Sequence, residues 1–277
     1  MPPVFSIALK ARRKAGGKVM RKVEAVIFDW DGTMVDYGGF APTDALARVL
    51  KTYGVTLPGE RMRLSVERCT IEGIDSVMQE ADVNKAWKKK YERRPDRKCL
   101  EEIFESVQTQ LRTSVKNLTE PLPYVLDTIE ILRKKGIKIG ATTNYTPETI
   151  KGLQSAAKKN GLQPDYSACT EGNRRPYPYM IFENMKHLGI QAVENVIKIG
   201  DTVLDVKEGK NAGVFTIGVV EGSAEMGISK ANYEVLPAEK RYELSRKVEG
   251  KFKKAGADLV VTNLRELPDA IRLIQKI

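Results

Sequence analysis

The chain is punctuated by short apolar runs that each stop at a polar turn, with helix-like stretches between them. Ala25-Val26-Ile27-Phe28 ends in Asp29-Trp30-Asp31-Gly32-Thr33, and Ile137-Lys138-Ile139-Gly140-Ala141 ends in Thr142-Thr143-Asn144. Val196-Ile197-Lys198-Ile199 stops at Gly200-Asp201, and Val214-Phe215-Thr216-Ile217 follows a stretch closed by Asn211-Ala212-Gly213. Asp258-Leu259-Val260-Val261 then leads through Thr262-Asn263 into a final amphipathic helix from about Leu264. Runs of this length with such boundaries read as strands buried on both faces. The intervening segments, Leu122 to Lys135, Pro147 to Lys159, Tyr177 to Leu188 and Thr202 to Asn211, read as helices. Strict alternation of this kind predicts an α/β fold, a doubly wound parallel sheet covered on both faces. In such sheets ligands bind beyond the carboxyl ends of the strands, which is where the polar turns fall.

One connection breaks the pattern. About a hundred residues separate the first run from the second, too many for a simple crossover. From Ala41 to Leu118 they read as consecutive helices, including Thr43 to Tyr53, Asp82 to Arg93 and Asp96 to Ser114. The expected organisation is a basic leader over 1–23, a sheet domain over 24–40 and 119–277, and an inserted α-helical cap domain over 41–118. Hinges are expected near Tyr37 to Ala41 and Asn117 to Pro123, where Gly38, Gly39, Pro42, Pro121 and Pro123 interrupt the helical pattern.

Composition narrows the function. The net charge of +10 suggests a polyanion partner until its distribution is examined. Lys10, Arg12, Arg13, Lys14, Lys18, Arg21 and Lys22 lie within the first 23 residues, which hold no acid, so most of the excess is local and does not argue for nucleic acid. An Arg-rich, acid-free leader fits a mitochondrial targeting segment as the alternative to an untargeted tail on a cytoplasmic protein. No apolar run approaches the ~20 residues of a spanning helix. Cys69, Cys99 and Cys169 are odd in number and lack a C-x-x-C pair, which disfavours a disulfide framework or a zinc cluster. The single histidine, His187, excludes multi-histidine metal sites and reads as an exposed helix residue. No Gly-Lys is followed by Ser or Thr, so a P-loop is excluded.

The chemistry concentrates in the turns. Asp29 and Asp31 follow one buried run, and Asp201 and Asp205 follow another in Gly-Asp-Thr-Val-Leu-Asp. Carboxylates converging from two strands repel one another, and a hard divalent cation with oxygen ligands resolves the repulsion, magnesium being the expected ion. An EF-hand is excluded because positions 34 and 40, where it needs Gly and Glu, are Met and Phe.

With these motifs in order, Asp29-x-Asp31-Gly-Thr33, Thr143-Asn144, Arg175 in Arg-Arg-Pro-Tyr-Pro, and Gly200-Asp201-Thr202-Val203-Leu204-Asp205, the sequence resembles the haloacid dehalogenase (HAD) superfamily of phosphohydrolases from about Glu24 onward. The resemblance implies a Rossmann-like core, a cap, Mg2+ and a catalytic set of Asp29, Asp31, Thr143 and Arg175. Asp29 would attack phosphorus and form an aspartyl-phosphate, and Asp31 would protonate the leaving oxygen and then activate water. Thr143, Asn144 and Arg175 would bind the phosphoryl group. Asp29, the main-chain carbonyl of Asp31, Asp201 and Asp205 would hold the metal, Asp205 directly or through water. Asp205 also reads as an acid favoured at a helix N-terminus. Arg174 is expected to face solvent.

Within the superfamily, Glu24-Ala-Val-Ile-Phe-Asp-Trp-x-Gly-Thr-x-Val-Asp-Tyr-Gly, Phe40-Ala-Pro42, Arg175-Pro-Tyr-Pro178 and Gly200-Asp-Thr-Val203 are similar to the phosphonoacetaldehyde hydrolases. Those enzymes cleave a carbon–phosphorus bond through an imine on a cap lysine and carry Ala where this chain has Asp31. A gap-free count places their lysine near Thr70, and no lysine occurs from Thr52 to Asn84. The expected activity is therefore a magnesium-dependent phosphomonoesterase acting on a small phosphorylated metabolite. The alternatives are phosphonoacetaldehyde hydrolysis using an unaligned lysine such as Lys51 or Lys85, a phosphomutase, and a non-catalytic binding module. The expected partner is a small phosphorylated or phosphonate substrate rather than nucleic acid or a membrane, with a homodimer left open. Glu67, Arg68 and Glu72 are candidates for the substrate's organic portion, and the basic run Lys85 to Lys98 reads as a solvated helical face in preference to a steering surface.

Overall fold

A computed structural model describes residues 22–57, 70–170 and 174–275. In chain order the strands and α-helices are β1 (Ala25–Asp29), α1 (Ala41–Thr52), α2 (Ile71–Gln79), α3 (Ala81–Tyr91), α4 (Arg97–Ser114), α5 (Val125–Lys134), β2 (Lys138–Thr143), α6 (Pro147–Lys159), β3 (Tyr166–Cys169) and α7 (Tyr179–Leu188). The remainder are β4 (Val196–Gly200), α8 (Val203–Ala212), β5 (Phe215–Val219), α9 (Lys230–Val235), α10 (Ala238–Ala255), β6 (Leu259–Val261) and α11 (Leu267–Ile274). The six strands are all parallel in the order β3-β2-β1-β4-β5-β6, so the expected doubly wound sheet is present.

Alternation along β1 explains how the sheet is covered. Val26 and Phe28 join the apolar cluster on one face, which runs without interruption into the helices of the insert. Ala25 and Ile27 join the cluster on the other, against Ile181, Met185 and Leu188 of α7. Because both faces are covered, every residue of β1 and β4 is buried, Asp29 and Lys198 included.

Strand β3 is a correction to the five strands read from sequence. Tyr-Ser-Ala-Cys is short, half-buried and at the sheet edge, so it lacks the apolar run that marks a central strand. Helix α2 falls within the stretch read as consecutive helices, which gave it no bounds of its own. It is capped by Thr70, whose hydroxyl accepts from the Gly73 amide at 2.8 Å. The long α10 is also an addition; its low apolar content, with Val248 and Phe252 buried, hid it.

Helices α1 to α5 fall between β1 and β2, and α1 to α4 are those within 41–118. They pack through Leu46, Leu50, Ile74, Met78, Ile103, Val107 and Leu111, and Trp87 lies against Tyr53 and Tyr91 with ring centroids 5.6 and 4.4 Å away. Among the described residues no helix is long and apolar enough to cross a membrane.

Candidate active site

Strand register assembles the site. Asp29 ends β1 on the same face as Ile27, Thr142 of β2 is level with Asp29, and Lys198 of β4 is level with Ile27. Asp201 follows β4 directly, and Asp205 lies in the first turn of α8. Thr202 caps α8 reciprocally with Asp205: the Asp205 amide donates to Thr202 Oγ1 at 3.1 Å and the Thr202 amide donates to Asp205 Oδ2 at 3.2 Å, with the Thr202 hydroxyl also donating to Asp205 Oδ2 at 2.6 Å. Arg175, which precedes α7, reaches under the sheet end, and its side chain is 5% exposed.

The Arg175 terminal nitrogen NH2 donates to Asp29 Oδ1 and to Thr142 Oγ1, both at 2.6 Å. Its Nε donates to Glu208 Oε2 at 3.0 Å and lies 3.2 Å from Asp205 Oδ1. Asp201 is held from two sides, by the Thr33 hydroxyl on Oδ1 at 3.3 Å and the Ala224 amide on Oδ2 at 2.7 Å. Gly32 permits this approach. At φ +73° it carries no side chain, and a Cβ there would stand 2.1 Å from Asp201 Oδ2.

Asp29, Asp201 and Asp205 each offer an oxygen within 4.8 Å of the others, and all three are buried. Burial raises the carboxyl pKa values of Asp29 and Asp201, and the charges of neighbouring aspartates add to the effect. Asp205 is also penalised by burial, but Arg175 and Lys198 outweigh the penalty and lower it. With Glu208 included, four carboxylates face two cations, Arg175 and Lys198, a formal deficit of two positive charges. A hard divalent cation fits this donor set in both ligand type and charge. The side chain of Asp31 is outside the three-oxygen group.

Asp31 is buried beside Asp29, and its pKa is raised well above the carboxylate range, first by burial and then by Asp36 and Asp29. The neighbouring Tyr145 opposes the shift. Asp36 accepts from the Ala41 amide at 2.8 Å and so ties the start of α1 to the loop after β1; burial raises its pKa to about 6. Thr143 is buried, and its hydroxyl accepts from the Tyr145 amide at 3.2 Å. Asn144 Oδ1 accepts from the Arg175 amide at 3.4 Å, orienting the loop that carries Arg175.

The structure therefore brings Asp29, Asp31, Thr143, Asn144, Arg175, Asp201 and Asp205 to one end of the sheet. The sequence reading missed Lys198, Glu208 and Thr142. A lysine inside Val-Ile-Lys-Ile-Gly was the available signal, because an apolar strand tolerates a charge only where partners meet it. Among the remaining expectations, Glu72 is 78% exposed at its side chain and lies 3.7 Å from Arg97, and the basic residues from Lys85 to Lys98 are exposed. Arg174 is half-buried rather than solvent-facing. His187 is half-exposed and stacks on Tyr166 at 3.9 Å. Glu67, Arg68, Cys69 and nearly all of the basic leader lie outside the described residues.

Comparison with known proteins settles the family. A family model described as haloacid dehalogenase-like hydrolase matches residues 23–213. The chain belongs to this hydrolase family. It is 38% identical over 259 residues to the phosphonoacetaldehyde hydrolase of Parabacteroides distasonis, covering 92% of this chain and 98% of the relative. It is 35% identical over 258 residues to the bifunctional phosphonoacetaldehyde hydrolase/aminoethylphosphonate transaminase of Clostridioides difficile, where the match spans 92% of this chain but 40% of that longer protein. Among solved structures, a phosphonoacetaldehyde hydrolase-like protein from Oleispira antarctica superposes with a TM-score of 0.84 at 25% identity, covering 93% of this chain and 96% of that one.

Proposed function

We propose that this member of the family is a magnesium-dependent phosphomonoesterase that hydrolyses a small phosphorylated metabolite through an aspartyl-phosphate on Asp29. The observation that carries the reading is Asp31: a buried carboxyl group beside the nucleophile whose surroundings favour the protonated form. An ester oxygen leaves with a proton, whereas a carbon leaving group stabilised as an imine needs a lysine instead.

In this reading an Asp29 carboxylate oxygen forms a bond to phosphorus while the bond from phosphorus to the ester oxygen breaks. Asp31 delivers its proton to that oxygen. The deprotonated Asp31 then takes a proton from water, whose oxygen attacks phosphorus and releases Asp29 and inorganic phosphate. Arg175 fixes the Asp29 carboxylate through its 2.6 Å contact and offsets negative charge on the phosphoryl group. Thr143, Asn144 and adjacent amides hold phosphoryl oxygens. Asp29, Asp201 and the Asp31 carbonyl, with Asp205 beside them, would hold Mg2+, which supplies electrostatic stabilisation of the transferring group. The helical insert over 41–118 acts as a cap that excludes water and selects the substrate.

A second reading, phosphonoacetaldehyde hydrolysis, draws support from the names of the relatives. It requires an amine in the crevice. Thr70, at the counted lysine position, caps α2; Lys51 and Lys85 are exposed; and Lys198 is wholly buried and ion-paired to two carboxylates. A panel of phosphate esters and phosphonates, run with magnesium and with chelator, tests both readings. Magnesium-dependent turnover of esters that Asp29→Ala abolishes is expected. Borohydride trapping of a covalent adduct with phosphonoacetaldehyde would overturn the first reading in favour of the second, and phosphoryl transfer to an added sugar would indicate a mutase.

A further inference from the structure

Lys198 stands between Ile197 and Ile199 in the strand beside β1, and its side chain is 0% exposed. An ammonium group persists in such surroundings only where oxygens replace its water. Its Nζ meets three: Thr142 Oγ1 at 2.6 Å, Asp205 Oδ1 at 3.0 Å and Glu208 Oε2 at 3.1 Å. These are the same three atoms that Arg175 contacts apart from Asp29. Two cations thus share three oxygens. The other Glu208 oxygen, Oε1, is buried without a hydrogen-bond partner, so both cations converge on Oε2.

The sharing dictates direction. A guanidinium group is planar, and fixing Nε against a carboxylate sets the plane in which its outer nitrogens lie. Lys198 approaches the shared oxygens from two residues further down the sheet than Asp29, as its register with Ile27 shows. With Lys198 already on Asp205 Oδ1 and Glu208 Oε2, Arg175 does not face those oxygens alone, and its outer nitrogen stays on Asp29. Without Lys198, both carboxylates would be free to draw the guanidinium downward, away from the crevice.

We propose that Lys198 and Glu208 are positioning residues that aim Arg175 at Asp29. Neither belongs to the group of residues assigned to the substrate. The proposal rests on the reading of Asp29 as nucleophile and Arg175 as its partner, and it assigns the buried pair to catalytic geometry in addition to charge balance.

The deciding variant is the double replacement Lys198→Met/Glu208→Leu, which removes one charge of each sign together and retains side-chain volume. Misplacement of a catalytic group by about 1 Å can lower turnover ~100-fold. The expected result is a fall in kcat of about 10- to 100-fold with KM within about threefold, matched by weaker inhibition by orthovanadate, a mimic of the transferring phosphoryl group. In nitrogen-15 NMR the Arg175 Nε–H should exchange slowly with solvent in the parent protein and rapidly in the double variant. Glu208→Gln, which keeps an oxygen near Nε, should preserve much of both activity and protection. A double variant with kcat within about twofold of the parent and an equally protected Nε–H would overturn the proposal. If the double variant does not fold, Glu208→Ala takes its place, and unchanged Nε–H protection there overturns the proposal. Absence of phosphoester turnover in the parent would sink the proposed reaction instead, and Nε–H exchange would still decide whether the pair aims Arg175.

Discussion

Two regions of this molecule handle charge in opposite ways. At the sheet end, Asp29, Arg175, Lys198, Asp201, Asp205 and Glu208 are buried within a few ångströms of one another. In the insert, the basic run of α3 and the start of α4 lies in water, with Arg93 paired to Asp96 and Arg97 to Glu101 on the surface. Buried charges in low dielectric act strongly on each other and on anything that enters, whereas exposed pairs are screened and contribute ~0–1 kcal/mol. Chemistry is therefore expected from the floor and shape from the insert. The same contrast predicts large responses to change in one region and small responses in the other.

The largest break should come at Asp29, the proposed nucleophile. Asp29→Ala is expected to lower kcat for a phosphate ester by about 10⁴-fold or more, read by phosphate release under saturating substrate. A residual rate near wild type would place the reaction elsewhere. Next in size, Asp31→Ala should lower turnover of alkyl phosphates by about 10²- to 10⁴-fold. In the first half-reaction, read by single-turnover release of the leaving group, it should affect p-nitrophenyl phosphate far less, because that leaving oxygen needs no proton; the later attack of water needs Asp31 with either substrate. Equal single-turnover losses on both substrates would argue against Asp31 as the acid.

Stability should show the same asymmetry. Lys198→Met alone removes one of the two cations that meet Asp205 and Glu208 in the interior and leaves Arg175 to balance both, and it is expected to destabilise by about 3–5 kcal/mol in urea titration. A shift below ~1 kcal/mol would mean the pair is not buried in solution. The pH dependence follows from Asp29, Asp31, Asp36 and Asp201, whose pKa values are all raised in the fold. Between the unfolded and folded pKa values the native state binds more protons, so metal-free stability should fall as pH rises. For Asp36 that window runs from 3.8 to about 6. Asp205, whose pKa is lowered, opposes the trend. Melting temperatures in chelator should decline over this window, less so in Asp36→Asn, and magnesium should flatten the slope at the upper end. A melting temperature that climbs with pH in chelator would contradict the assignment.

The smallest effect belongs to the insert. Lys88→Glu/Lys89→Glu should change stability by no more than about 0.5 kcal/mol and kcat/KM by less than about twofold at 0.15 M salt. A large, salt-sensitive loss of kcat/KM would instead show that the basic face steers anionic substrates.

Most of the fold could be read from the chain because apolar runs in β1, β2, β4 and β5 carry their own signal, and turn residues mark where they stop. Edge strand β3 and the sparsely apolar α10 could not be read, since their burial depends on neighbours distant in sequence. Asp29, Asp31, Arg175, Asp201 and Asp205 announced themselves by spacing and by resemblance. Thr142 and Glu208 gave no such sign: a threonine in a strand and a glutamate in a helix are ordinary until register and packing bring them to Arg175.

The sequence by itself determined the alternation of strand and helix, the place of the long helical insertion, and the acidic turns where chemistry would gather. These follow from local periodicity and from residue types that adjacent positions constrain. Only the tertiary structure decided which charges share partners. Lys198 and Glu208 are ten residues apart on different elements, and Arg175 reaches Asp29 from 146 positions along the chain. Electrostatic contact falls off with distance in space, not along the chain, so the network that holds Arg175 exists only once β1, β2, β4, α8 and the loop before α7 are packed together.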